Sequence, residues 1–271
     1  MVGARKQGGR AAHDAGRTLL RPLPGERLVG RTRRGAQRVR CRTGRVIPFS
    51  KGTRNVKIVI ARRGTPVWLE SASLVSKVFG TSFGAQVTPD PDQFIAYVGR
   101  QDGGPDEVEA CIGISFPENG PVFLERYLDG SIEDALCEAA GQEVRRHQII
   151  QLGSVASVAN LAGAEIYRAL PLIQACLGRS YAAMTMTNRS AALAKRLGLI
   201  THRLCDADGT RLGAEELARW GTFYDQRPAV RWGRLADHSQ QLVTGVERYA
   251  LDSVDIRLLS SRNRTELTRA A

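Results

Sequence analysis

Hydrophobic and polar positions alternate from Asn55 to Arg62 (NVKIVIAR), and the β-branched residues among them predict a strand. Gly64 ends it and Pro66 suits the first turn of a helix. Over residues 67 to 80 (VWLESASLVSKVFG) the period changes. Val67, Leu69, Leu74, Val75 and Val78 fall at mixed three and four spacing, which predicts an amphipathic helix with Gly80 as its C-cap. After a Pro/Asp-rich loop (TPDPD, 88 to 92), two apolar runs, QFIAYVG (93 to 99) and VEACIGISF (108 to 116), flank the polar turn RQDGGPDE. That is the pattern of an antiparallel hairpin. After the loop PENGP comes VFLERYLDG (122 to 130), for which a strand leaving the hairpin is one reading, and then the helix IEDALCEAAG closed at Gly141.

The second half is built differently. HQIIQLGSVASV (147 to 158) reads as a buried strand, the small-residue loop ANLAGA (159 to 164) leads into a helix over 164 to 177, and SYAAMTMT (180 to 187) is another buried strand. Asn188 then opens the helix RSAALAKRLG, closed at Gly198. Strand, loop, helix, strand, helix is a crossover unit, so this half carries a parallel or splayed strand pair. Together the halves predict a mixed α/β sheet.

Composition modifies this picture in one respect. The 271 residues carry 39 Lys plus Arg and 27 Asp plus Glu, a net charge of +12. Taken whole, that suggests a nucleic-acid or anionic-surface binder. Yet residues 1 to 57 hold 16 of the cations and only Asp14 and Glu26, while the remaining 214 residues sum to −2. The Arg-Gly runs of residues 1 to 46 contain few aromatic or β-branched residues, so this basic leader is expected to be disordered. No aromatic residues interleave its charges for base stacking, and nucleic acid is not expected as a partner.

No apolar run reaches the roughly 18 residues of a membrane span, and the N-terminus lacks the apolar core of a secretory signal. A cytoplasmic location is the expectation. Cys41, Cys111, Cys137, Cys176 and Cys205 are odd in number and widely spaced, and with the scattered histidines they form no zinc pattern, so no metal is expected.

Candidate chemistry begins at residues 153 to 165. A strand ending in small residues and feeding a helix leaves backbone N–H groups unpaired, and with the helix dipole these form an anion cradle suited to a pyrophosphate. Gly153, Ser154, Val155, Ser157, Asn160, Gly163 and Ala164 are its candidates. Small residues here equally permit tight packing of a helix on a sheet, and the residues alone leave both readings open. The segment is neither G-x-G-x-x-G nor a phosphate loop with its lysine, which argues against a nicotinamide site or an NTPase.

The order of these elements, ending in NRSAALAKRLGL (188 to 199), resembles the cofactor-binding half of the GNAT-type N-acyltransferases, whose signature reads N-x-x-A-x-x-L-Y-x-K-x-G-F. Asn188, Ala191, Leu193, Leu197 and Gly198 carry the likeness. The family's pyrophosphate loop is matched loosely by residues 160 to 165. LERYLDGSIEDAL, IIQLGSVASV, DADGTRLG and RWGTFYDQRPAV extend the resemblance to the thermostable haemolysin family, over about residues 55 to 232. Acyl-homoserine-lactone synthases are distant relatives of the same fold.

The resemblance implies a GNAT-like mixed sheet, antiparallel in its first half, with a splayed parallel pair in the second half, flanked by helices. The chain divides accordingly into a leader (1 to 46), a GNAT-like acyltransferase domain (47 to 235) and a C-terminal extension (236 to 271), read as helical. The extension would pack on the domain or on a second subunit, making a homodimer. The implied activity is transfer of an acyl group from a pantetheine thioester, acyl-CoA or an acyl carrier protein, to a small-molecule amine. A pantetheine arm would add as a pseudo-strand in the splay, with Asn188 on the cofactor side. Glu125, Tyr127 and Asp129 would share one face if their segment is a strand, giving Glu125 as general base and Tyr127 as an orienting group. Tyr224 would protonate the departing thiolate. The competing readings are a solvent-facing edge for the first group and an aromatic anchor for Tyr224. A haemolysin-like membrane-active or binding protein without catalysis is the alternative at the level of function.

Overall fold

The computed structural model describes residues 45–46, 56–100, 105–249 and 251–252. The leader apart from Arg45–Val46, and most of the region beyond Arg248, lie outside them. In chain order the elements are β1 (Arg45–Val46), β2 (Val56–Arg62), α1 (Pro66–Phe83), β3 (Gln93–Arg100), β4 (Asp106–Ser115), α2 (Ile132–Ala140), β5 (Ile149–Ser157), α3 (Asn160–Cys176), β6 (Tyr181–Met186), α4 (Asn188–Arg196), β7 (His202–Asp206), α5 (Ala214–Arg219), β8 (Ala229–Arg234), α6 (Ser239–Arg248) and β9 (Leu251–Asp252). β1 and β9 pair by themselves. The other seven strands form one sheet in the order β2-β3-β4-β5-β6-β8-β7. Every neighbouring pair is antiparallel except β5 and β6, which are parallel with α3 as the crossover. This is the mixed sheet that the alternation of periods predicted.

Alternation along each strand supplies two faces. On one, Ile95, Ile112, Ile114, Ile150, Leu152, Met184 and Met186 are buried under Ile166, Leu170 and Ile173 of α3. On the other, Phe94, Ala96, Cys111 and Ala156 meet Trp68, Val75 and Phe79 of α1, and Ile149, Ala183 and Val230 meet Ile132 and Leu136 of α2.

Helix boundaries depart from the sequence reading where caps decide them. Thr65 caps α1 and Pro66 is its first residue, as expected, but the helix runs past Gly80 to Phe83 and stops at Gly84, which takes the left-handed conformation at φ 66°. Thr187, not Asn188, caps α4: its hydroxyl accepts from the Ser190 N–H. The largest difference is α3. ANLAGA is no loop, because Asn160 already begins the helix and Gly163 and Ala164 sit inside it. Gly163 serves contact here. A β-carbon there would lie 3.2 Å from the Ser157 side chain, so glycine lets the first turn close onto the strand end.

FLERYLDG is not a strand. Phe123–Tyr127 is a 3-10 turn, and alternation therefore does not apply to Glu125, Tyr127 and Asp129.

Candidate active site

The parallel strands part company. β5 and β6 pair from Ile149 opposite Tyr181 to Leu152 opposite Met184, and no further, although β5 continues to Ser157 and β6 to Met186. The cause lies on the other edge of β5. Opposite β4, Gly113 faces Gly153 and Cys111 faces Ala156, so β5 takes three residue steps where β4 takes two. The extra residue is a β-bulge, which bends a strand and re-aims its backbone groups. Ser154 sits in it with φ 48°, a left-handed conformation uncommon in a residue with a β-carbon. Gly153 borders free space, with nothing within 4 Å of where a β-carbon would stand. Beyond Leu152 the sheet therefore opens into a fork whose inner edges carry unpaired backbone groups.

The N-terminus of α3 stands at the open end of β5. Ala159 precedes the helix with no side-chain cap, and its first turn holds no acidic residue. The first intrahelical bond found runs from the Gly163 N–H to the Ala159 carbonyl, which leaves the amides of Asn160, Leu161 and Ala162 without helical partners. Two of the residues assigned to this cradle are otherwise engaged. The Ser157 hydroxyl donates to the Ala159 carbonyl at 2.6 Å, and Gly163 packs against Ser157. Ala164 is buried within α3. Gly153, Ser154 and Val155 lie on the fork itself. Asn188, exposed at the start of α4, follows β6 across the gap.

The opposite face of the sheet carries an aromatic group. Trp220, Phe223 and Tyr224 belong to the WGTFYD segment, which is held on the end of α1: the Thr222 N–H donates to the Phe83 carbonyl. Gly221 permits this approach, since at φ 53° a β-carbon would lie 2.0 Å from that carbonyl oxygen. Phe79, Phe83, Phe123 and Tyr127 complete a continuous ring-to-ring cluster. Trp220 and Tyr224 pack against both of the cores on this face, the one containing Ala156 of β5 and the one containing Ala183 of β6.

Tyr127 and Tyr224, almost a hundred residues apart in sequence, meet there with their hydroxyls 2.5 Å apart. Burial pushes the Tyr224 phenol up to about 12, against the opposing effect of its Tyr127 partner. Burial and the neighbouring Tyr224 oxygen raise Tyr127 further. Both phenols are thus protonated at neutral pH. One donates to the other, and the accepting hydroxyl keeps a proton to give away.

Glu125 has a different setting from the one expected of a base. Its carboxylate accepts from the Val122 N–H at 2.9 Å and the Ile132 N–H at 3.0 Å, and Arg146 grips it at 2.6 and 3.1 Å. Arg146 in turn binds Glu133 and the carbonyls of Pro117 and Gly120. Burial alone would raise the Glu125 pKa, but the Arg146 hydrogen bonds, the two backbone donors and the Arg146 charge outweigh it and hold the carboxyl below its ordinary value. A carboxylate with four donors and a lowered proton affinity is a poor base. Glu125 locks the turn that presents Tyr127. Asp129 is an exposed partner of Arg211, at 2.7 Å. Sequence reasoning missed Arg146, whose partners come from three separate segments, and the bulge at Ser154, which no residue type announces.

Among the described residues, no three His, Cys, Asp or Glu side chains gather as a metal site, and no helix is long and apolar enough to cross a membrane. The family model described as "Thermostable hemolysin" matches residues 61–239. No curated protein matches the sequence. Among solved structures, TofI in an apo form is similar at 16% identity and a TM-score of 0.46, over 70% of this chain and 96% of that one. The AHL synthase LasI is similar at 16% identity and a TM-score of 0.45, over 67% and 90% of the two chains. FeeM, an N-acyl amino acid synthase from uncultured soil microbes, is similar at 9% identity and a TM-score of 0.43, over 72% and 97%.

Proposed function

The chain belongs to the thermostable haemolysin family, and we propose that it works as a GNAT-type N-acyltransferase, moving an acyl group from a pantetheine thioester to the amine of a small molecule. The observation that carries this reading is the fork, where the parallel pair parts after Leu152 and Met184 beside the bulge at Ser154. A pantetheine arm is an extended chain with two amides, and an open strand edge offers it alternating donors and acceptors in the manner of an added strand. At the outer end, the free amides of residues 160 to 162 suit a phosphate. At the inner end, the bulge turns backbone N–H groups out of the β4 ladder, where they can receive a developing oxyanion. Coenzyme A or an acyl carrier protein would present the same arm.

The chemistry asks for little else. The amine nitrogen attacks the thioester carbon, forming the C–N bond and a tetrahedral oxyanion. Collapse breaks the C–S bond, and the sulfur leaves as a thiolate that takes a proton from the Tyr224–Tyr127 pair. The nitrogen loses its proton to water, and solvent restores the phenol. Positioning provides much of the acceleration in such a transfer, and the raised phenol pKa keeps a hydrogen-bond donor beside the departing sulfur at neutral pH, with solvent replacing the proton it shares. Glu125 acts as a positioning residue through Tyr127.

Incubation with acyl-CoA and acyl-carrier-protein donors and a panel of amines, with free thiol followed optically, tests the reading. Amine-dependent thiol release that falls on Tyr224→Phe is the expected result. No release with any donor would sink it. The alternative of a membrane-active protein rests on the lytic name of the family, and dye leakage from lipid vesicles distinguishes it.

A further inference from the structure

Under the fork, between α3 and strands β6 and β8, lies a cavity of about 50 Å³. Leu152 and Met184, the last residues to pair before the strands separate, form its near wall with Met186. One water-sized occupant needs roughly 10 to 15 Å³ on this measure, so the space suits about three or four heavy atoms. The lining is mostly apolar, but α3 contributes Tyr167, Pro171 and Gln174 at positions i, i+4 and i+7 of one helical face. Gln174 is only 5% exposed, and its Nε2 makes no hydrogen bond. Pro171 has no N–H to give the Tyr167 carbonyl, so the helix leaves that acceptor without its usual partner. A side-chain donor is therefore left over beside a small apolar space, and the helix supplies no N–H to the Tyr167 carbonyl on the same face. Leaving a buried amide unpaired is destabilising, and leucine would fill position 174 without that defect.

Building on the acyltransferase reading, we infer that this cavity receives the far end of the transferred acyl group, and that the group is a short chain bearing a hydroxyl. The hydroxyl accepts from Gln174 Nε2 and donates to the Tyr167 carbonyl. The methylene groups lie against Leu152 and Met184. A chain of ten or more carbons exceeds the space.

The test compares butyryl-, 3-hydroxybutyryl-, 4-hydroxybutyryl- and dodecanoyl-pantetheine as donors for wild type, Gln174→Leu and Gln174→Met. Wild type is expected to favour a hydroxylated C4 donor over butyryl by roughly ten- to a hundredfold in kcat/KM, and both variants to reverse the order. Each variant should melt at or above the wild-type temperature, which separates lost recognition from lost folding. Ligand-observed NMR with 3-hydroxybutyramide and butyramide measures the same selectivity without turnover. Turnover with no hydroxyl preference, or with dodecanoyl favoured, overturns the inference and leaves the transferase reading in place; the cavity then holds water only. Absence of turnover with every donor overturns the transferase reading and the acyl assignment with it, and equal NMR binding of the two amides removes the hydroxyl site as well.

Discussion

Replacing Glu125 with glutamine separates an anchoring carboxylate from a catalytic one. The native carboxylate takes two backbone N–H donors and two hydrogen bonds from Arg146. Glutamine keeps one carbonyl oxygen, so at least one backbone donor or one arginine contact goes unanswered, and the amide N–H₂ is turned toward a guanidinium or an N–H. A hydrogen bond to a charged group contributes about 1.5–3 kcal/mol. Arg146 retains Glu133 at 2.6 Å and two carbonyls, which softens the loss. A destabilisation of about 2 kcal/mol follows, or about 4–8 °C in melting temperature for a domain of this size. The pH dependence gives a second handle. Because the folded-state pKa of Glu125 lies below its ordinary value of 4.5, its contribution is present above that value and is lost as pH falls through the folded-state pKa. Urea unfolding from pH 7 to pH 3 should show the wild type losing more stability than Glu125→Gln. Turnover should persist at reduced kcat with the shape of its pH profile unchanged, because the proposed proton donor is the tyrosine pair. Complete loss of turnover with wild-type stability would refute this and return Glu125 to the role of general base.

Tyr224→Phe leaves the Tyr127 hydroxyl without its partner, and should cost about 1–3 kcal/mol in stability while lowering kcat more than it raises KM; unchanged thiol release would remove the pair from the reaction. Gly153→Val should fold normally, because nothing occupies the space of its side chain, yet raise KM for the donor severalfold; an unchanged KM would place the arm elsewhere. Glu165→Gln breaks the contacts that hold α6 to α3 through Arg248 at 2.6 Å and Tyr249 at 2.7 Å, and limited proteolysis should then cut within α6 sooner than in wild type. Deletion of residues 1 to 39 should leave donor turnover intact at moderate salt, and its loss would give the basic leader a function.

Strands β2 to β6 and their order of appearance were legible because burial on two faces imposes alternation or continuous apolar runs, and turns such as RQDGGPDE punctuate them, whereas β7 and β8 were not assigned. The change from hairpins to a crossover unit was legible for the same reason. What failed did so locally. Phe123–Tyr127 has the alternation of a strand, but Glu125 finds the Val122 and Ile132 amides within seven residues and Arg146 beyond them, and those bonds favour a tight turn. ANLAGA has the small residues of a loop, but alanine and leucine are strong helix formers and Gly163 is there to let the helix approach Ser157. The pairing of Tyr127 with Tyr224 depends on two 3-10 turns from distant parts of the chain, so only the fold could reveal it.

The fork also explains why net charge was a poor guide. A basic surface recruits anions without orienting them, whereas an acyl transfer needs one carbonyl held about 3–3.5 Å from its nucleophile and aligned with it. On the proposed reading geometry provides that: a left-handed serine opens the sheet, an uncapped helix would meet the donor's anionic end, and two protonated phenols lie on the opposite face. If this division is correct, ionic strength should act on KM for the phosphate-bearing donor and leave kcat nearly constant, because screening weakens the cradle but not the buried tyrosine pair. A kcat that falls with salt in parallel with 1/KM would mean that surface charge, and not the fork, organises the reacting atoms.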